Sequence, residues 1–275
     1  CVPAIPDFAF SLNRIIQSIF GRNKKVLALD LDNTLWGGVI GDDGQEGIEI
    51  GQETSMGQAY DELQRYLKEQ KKLGVLLTVC SKNEPENALL GLNHPNGVLK
   101  PDDFVCIQAN WDSKDQNILK TAQTLNLLPE SFVFVDDNPA ERAIVSGQIA
   151  GIAVPEFDSV EECLMVLDRS GYFEVTTLSK DDANRNEMYR ANVQRAQLQQ
   201  SFADYTEYLH SLDMHASITD FDPISMQRIV QLTNKSNQFN LTTRRYTKSD
   251  MEAVAASPNH IRLCGRLRDK FGDNG

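Results

Sequence analysis

Four short stretches of this chain place reactive side chains where apolar runs end. Val26–Leu31 contains Asp30 and leads into Asp32, giving two carboxylates one residue apart. Phe132–Val135 is followed by the adjacent pair Asp136 and Asp137, and Val75–Cys80 is followed by Ser81. Lys114 opens an amphipathic segment after the run Phe104–Ile107. An aspartate ending a strand is ordinarily a cap or turn former. A pair of aspartates at the tip of a buried apolar strand is costly unless something binds there. Acidic residues from two strand ends, a hydroxyl and a lysine together form a set suited to Mg²⁺ and a phosphoryl group.

The elements that must position these residues follow from the pattern. The runs Val26–Leu31, Val75–Cys80, Phe104–Ile107, Phe132–Asp136 and Gly151–Val154 have strand length and are apolar nearly throughout, as strands covered on both faces must be. Between them, Met56, Ala59, Tyr60, Leu63, Tyr66, Leu67 and Leu73 repeat at helical spacing, and so do Ile118, Leu119, Ala122 and Leu125. Gly74 stops the first helix, while Asn138 and Pro139 suit the start of another. The alternation predicts a doubly wound, mainly parallel α/β domain, whose sites form at the carboxyl ends of its strands.

We divide the chain into an N-terminal helical segment (1–23), the catalytic α/β domain (24–173), a polar helical linker (174–204) and a second unit (205–275). In the first segment Phe8, Leu12, Ile15, Ile16, Ile19 and Phe20 fall on one helix face. The linker carries Arg185, Arg190 and Arg195. In the second unit, residues 214–221 and 261–267 are expected as strands, 223–234 as a helix, and the final Phe271–Gly275 as a turn. The start at Cys1 and the stop after a strand predict a fragment of a longer polypeptide with an incomplete α+β second domain.

Composition narrows the function. The 275 residues carry 27 Lys+Arg against 39 Asp+Glu, a net charge of −12. Nucleic-acid affinity comes mainly from cations that neutralise phosphates, so such binding is not expected, nor is a basic membrane-surface helix. No apolar run approaches the roughly 20 residues of a membrane span. Five cysteines, an odd number without a CxxC pair, predict neither a disulfide framework nor a zinc site and suggest a reducing cytosol.

The ordered set Asp30-x-Asp32-x-Thr34, Ser81, Lys114 and Asp136-Asp137 resembles the four motifs of the haloacid dehalogenase superfamily. Longer strings are similar to its FkbH-like branch: residues 30–44, Cys80-Ser-Lys-Asn83, Asn110-Trp-Asp-Ser-Lys114 and Phe134-Val-Asp-Asp-Asn-Pro-Ala-Glu-Arg142. In the second unit, residues 237–246 and 269–275 also resemble that branch, and the unit looks like the start of an acetyltransferase-like fold. No glycine-rich coenzyme A loop is present, so acetyl transfer is not assigned.

The resemblance implies a Mg²⁺-dependent glyceryl (or lactyl) transferase/phosphatase of polyketide biosynthesis. It would dephosphorylate 1,3-bisphosphoglycerate and load the three-carbon unit onto the phosphopantetheine arm of an acyl carrier protein. Asp30 would be the nucleophile and a metal ligand. Asp32 would be the general acid/base, its main-chain carbonyl reaching the metal. Ser81 and Lys114, with Asn33, would bind the phosphoryl group, and Asp136, or Asp137 in its place, would complete the metal shell. Cys80 is the one cysteine beside a motif and is the candidate acyl carrier, although strand alternation turns Cys80 and Ser81 to opposite faces. Cysteine is also a frequent core residue. The glycine-rich stretch from Trp36 to about Gly51 is expected as a short flap, a minimal cap that leaves the site open. A basic patch, Arg244-Arg245 with Lys248 or the Arg185/Arg190/Arg195 helix, could receive an acidic carrier. Two other readings stand beside this one: a plain phosphatase acting on a phosphoprotein or small ester, and a non-catalytic docking module.

Overall fold

The computed structural model describes residues 4–19, 22–175, 184–235, 242 and 244–273. They form two compact units, Cys1–Gln197 and Leu198–Gly275. Cys1, Phe20, the start of the linker at 176–183, most of the 237–246 string and the last two residues lie outside the described residues. Among the described residues no helix is long and apolar enough to cross a membrane.

In the first unit, β1 (Val26–Leu29), β2 (Leu76–Ser81), β3 (Cys106–Ala109) and β4 (Phe132–Val135) form a parallel sheet in the order β3-β2-β1-β4. Its helices are α1 (Ile5–Ile19), α2 (Ile40–Gly47), α3 (Ser55–Lys72), α4 (Pro85–Leu92), α5 (Lys114–Leu125), α6 (Pro139–Gln148), α7 (Val160–Arg169) and α8 (Arg185–Gln200). The two-residue alternation of strands sorts the core by parity. Leu27, Leu29, Leu77, Val79, Val133 and Val135 pack with Leu63 and Leu67 of α3 and Cys163 and Leu167 of α7. Val26, Ala28, Leu76, Cys80, Phe132 and Phe134 face Ile118, Ala122 and Leu125 of α5 and Val145 of α6. Each such aliphatic side chain taken fully out of water contributes about 1.5–3 kcal/mol, which explains why these runs carry almost no polar residues.

Register sets the site. Leu29 pairs with Val79 on one side and Val135 on the other. The next row therefore brings Asp30, Cys80 and Asp136 level, and the Asp30 N–H donates to Val135 O at 3.0 Å. The helices begin where local chemistry allows. Thr54 Oγ1 accepts the Gly57 N–H at 2.9 Å to start α3. Asn138 accepts the Ala140 N–H at 2.9 Å, with Pro139 in the first turn of α6.

Two expectations are corrected, a strand and a turn. Gly151–Val154 forms no strand: only Ala153 bridges to Val133, because Pro155 has no N–H to extend the ladder. The polar helix expected in the linker forms, as α8, and packs within the first unit. Its Asn186 donates to Lys71 O and Val75 O, Arg185 donates to Gly74 O, and Arg190 donates to Asp102. Of the turn expected at 271–275, Phe271 lies in a turn, but Gly272 and Asp273 pair as a short strand with Asp269 and Arg268.

The second unit holds α9 (Tyr205–Ser211), β5 (His215–Thr219), α10 (Met226–Lys235), α11 (Lys248–Ala256), β6 (Cys264–Asp269) and β7 (Gly272–Asp273). Its antiparallel sheet runs β5-β6-β7, and a small cluster of Met226, Ile229 and Met251 joins its helices. No further strand of this unit is found among the described residues.

Between β1 and α3 stands only a short flap. It is closed by paired hydrogen bonds between Gly37 and Glu49, with α2 broken at Gly44 (φ +67°). Trp36 inserts its fully buried indole from the flap against α4, and a methyl group on Gly91 would lie 2.6 Å from that ring. We expect Gly91→Ala to lower the unfolding free energy in urea by about 1–3 kcal/mol through overpacking. This is despite alanine's advantage of about 1 kcal/mol in a helix. A variant as stable as the parent would show that Trp36 can give way.

Candidate active site

The carboxyl ends of β1 and β4 and the start of α5 converge on one ion-pair network. The buried Lys114 Nζ lies 2.8 Å from Asp30 Oδ2 and 2.5 Å from Asp136 Oδ2. Lys114 reaches both because Asp30 and Asp136 share the strand parity that faces α5, and Lys114 is the first residue of that helix. Burial alone would pull its pKa down, but the charges of Asp30 and Asp136 outweigh this and hold it above the ordinary lysine value.

The acidic pair after β4 is fixed from three sides. The Asn138 N–H donates to Asp136 Oδ1 at 2.9 Å. Arg142 Nη1 donates to the carbonyls of Asp136 and Asp137 at 2.8 and 2.9 Å, and its guanidinium stacks over Phe157. Thr34 Oγ1 accepts the Asp137 N–H at 3.1 Å and donates to Asp137 Oδ1 at 3.4 Å. Burial, followed by the charge of Asp30, raises the pKa of both Asp136 and Asp137.

Carboxylate oxygens of Asp30, Asp136 and Asp137 lie within 4.8 Å of one another. Asp30 Oδ1 is buried without a hydrogen-bond partner. Three converging carboxylates, one with an orphaned buried oxygen, fit a hard divalent cation that takes oxygen ligands. Asp137, expected only as a substitute for Asp136, stands in the cluster beside it. The Asp32 carboxylate serves elsewhere, accepting N–H groups from Trp36, Ile40 and Asn83 at 2.9–3.0 Å. Burial raises its pKa, and the Ile40 and Trp36 donors oppose that rise.

The other sequence candidates distribute unevenly. Ser81 is buried at the end of β2, and its carbonyl accepts the Asn110 N–H. Asn33 is exposed in a left-handed conformation (φ +53°), and its side chain accepts the Gly38 N–H at 2.9 Å. That hydrogen bond closes the loop. Cys80 shares the row of Asp30 and Asp136 but is covered by α5, with its Sγ 3.5 Å from Lys114 O and 2% of the residue exposed. Burial pushes its thiol well above the ordinary cysteine value, and the Lys114 charge only partly offsets this. In this geometry it is a core residue, not an exposed thiolate.

Sequence reasoning gave no role to Thr34, Asn83 or Arg142, although all three stand inside the quoted motifs. Thr34 and Asn83 find partners remote in sequence, Asp137 and Asp32, which only contact reveals, whereas Arg142 folds back within its own motif onto the carbonyls of Asp136 and Asp137. A separate concavity of about 780 Å³ lies at the opposite, amino end of the sheet, lined by Lys24, Lys25, Glu130 and Gly151 among others. It lacks the carboxylate cluster, and Lys24 Nζ already donates there to the carbonyls of Glu130 and Gly151.

We expect Lys114→Met to cost about 3–5 kcal/mol of stability, because it leaves buried like charges uncompensated. Urea denaturation in a chelating buffer measures the loss, and an added divalent cation should shrink it. Unchanged stability would show that the carboxylates do not need the ammonium.

No family model matches the chain, and no curated protein matches it. Among solved structures, it is similar to the N-terminal part of the protein BF1531 from Bacteroides fragilis, described as containing a phosphatase domain and complexed with Mg. The two share 41% identity with a TM-score of 0.61. The match covers 63% of this chain and 47% of that one, so the chain spans about half the length of its neighbour.

Proposed function

We propose that this protein is a Mg²⁺-dependent phosphatase of the haloacid dehalogenase type that works through a phosphorylated Asp30. The observation that carries the reading is the Asp30–Asp136–Asp137 cluster, with its orphaned Asp30 oxygen and Lys114 bridging two of the carboxylates. The Mg²⁺ of the similar phosphatase domain supports the choice of ion.

Asp30, Asp136 and Asp137 would hold the ion, with the Asp32 main-chain carbonyl as the further ligand that the resemblance implies. When bound, Mg²⁺ neutralises phosphoryl charge and orients the phosphorus toward the nucleophile. A carboxylate oxygen of Asp30 attacks phosphorus as the bond to the leaving oxygen breaks. Asp32 gives that oxygen a proton. Asp32 then takes a proton from a water that attacks the same phosphorus, releasing inorganic phosphate and restoring Asp30. Lys114 and Ser81 would neutralise and bind the equatorial phosphoryl oxygens. We expect Asp30→Asn to abolish release of phosphate from para-nitrophenyl phosphate, and chelation of Mg²⁺ to do the same reversibly in the parent. An active Asp30→Asn variant would sink the mechanism.

A second reading is favoured by the longer FkbH-like strings and by the small flap. It makes 1,3-bisphosphoglycerate the substrate and an acyl carrier protein the acceptor of a glyceryl or lactyl unit. The acetyltransferase-like reading of the second unit belongs to this proposal and carries no chemistry of its own. The buried, protonated thiol of Cys80 speaks against a carrier role unless α5 moves. Intact-mass measurement after incubation with 1,3-bisphosphoglycerate and Mg²⁺ separates the readings. We expect phosphate release without a three-carbon adduct. A covalent adduct lost in Cys80→Ala would instead establish the transferase with Cys80 as carrier.

A further inference from the structure

We infer that Asn83 is a positioning residue that fixes which oxygen of Asp32 carries the proton. The inference rests on the aspartyl-phosphate reading above and deepens it. Asp32 Oδ1 accepts the indole N–H of Trp36 at 2.9 Å and the backbone N–H of Ile40 at 3.0 Å. A carboxylate oxygen has two lone pairs, so Oδ1 cannot take a proton without losing a donor. Oδ2 accepts Asn83 Nδ2 at 2.9 Å, which leaves it one lone pair. That lone pair is the place for the exchangeable proton. A protonated Oδ2 still keeps a lone pair for Asn83, so the same hydrogen bond orients both the acid and its conjugate base.

The amide cannot turn over freely. Asn83 is buried, and its Oδ1 accepts the Glu84 N–H at 3.0 Å. A flip would set the amide oxygen against the Asp32 carboxylate and an NH₂ group against the Glu84 N–H, losing two hydrogen bonds. The loop that carries Asn83 is held in turn at its neighbour. Glu84 Oε1 accepts the indole N–H of Trp111 at 2.7 Å, which ties the loop after β2 to the loop after β3. Consecutive residues thus join three loops at the carboxyl edge of the sheet, one of them through the proposed acid itself.

The chemical consequence depends on the leaving group. As the phosphorus–oxygen bond breaks, the departing oxygen takes the proton from Oδ2, and in the second half-reaction Oδ2 takes one from water. An alkoxide needs that proton to leave, whereas para-nitrophenolate is stable without it. The constant kcat/KM covers only the steps up to departure of the leaving group and so excludes the hydrolytic half-reaction.

The test compares kcat/KM for ethyl phosphate and para-nitrophenyl phosphate, with Mg²⁺, in the parent, Asn83→Ala and Asn83→Asp. Asn83→Asp keeps the acceptor for the Glu84 N–H but replaces the amide donor to Asp32 with a carboxylate that repels it. Both variants are expected to lose on the order of 100-fold on ethyl phosphate, the scale of general-acid catalysis. Their losses on para-nitrophenyl phosphate should be at least about tenfold smaller. Equal losses on the two substrates, no loss on either, or an Asn83→Asp variant that behaves as the parent would overturn the inference. Its failure is separable from that of the underlying reading. If Asp30→Asn is inactive while the Asn83 variants lose equally on both esters, only the assignment of Asn83 falls.

Discussion

The site depends on one buried ammonium between two carboxylates. Asp30 and Asp136 end adjacent parallel strands, so sheet geometry alone forces their charges together. Like charges this close repel strongly in a medium that screens poorly. Lys114 answers that repulsion with contacts of 2.8 and 2.5 Å, reached from the first residue of α5. The position of α5 is therefore not a matter of packing alone. Ile118, Ala122 and Leu125 seat it on the face where Asp30 and Asp136 point, and the ion pairs fix its amino end over the strand termini.

The rest of the site is built to keep these carboxylates still. Arg142 holds the main chain of Asp136 and Asp137, and Thr34 reaches from the β1 loop to Asp137. Asp32 stands slightly apart, with its oxygens directed by Trp36, Ile40 and Asn83. Two carboxylates one residue apart thus acquire different environments. Asp30 keeps an oxygen without a donor and suits a cation or a phosphorus; Asp32 is surrounded by donors and suits proton exchange. Alternation would turn residues i and i+2 to the same face, but β1 ends at Leu29, so the second carboxylate lies beyond the strand, where the flap supplies donors.

The flap also sets what can enter. Only α2 and the loops around it stand between β1 and α3, and Trp36 anchors them to α4 through close contact with Gly91. A small, well-anchored cover keeps Asp32 oriented. The same packing accounts for Cys80. The parity that directs Asp30 and Asp136 toward Lys114 also places the thiol beneath α5, where burial holds it protonated.

The sequence by itself determined the parallel α/β core and the rank of residues at its carboxyl edge. Apolar runs of strand length, separated by amphipathic helices, admit few other arrangements, and β1, β2, β3 and β4 lie within the expected runs or within two residues of them. Gly151–Val154 misled because periodicity cannot show that Pro155 stops the ladder after one bridge. Asp30, Lys114 and Asp136 were legible because their positions relative to strand ends are local facts. Tertiary structure alone decided the rest. Asp137 joins Asp30 and Asp136 in the acidic cluster, Asn33 closes a loop, and Arg185 and Arg190 of α8 donate to main-chain carbonyls of the first unit. These outcomes turn on which atoms meet across remote segments, such as Thr34 with Asp137 or Asn83 with Asp32. Hydrogen bonds have direction and a reach of about 3 Å, and only the folded chain specifies either.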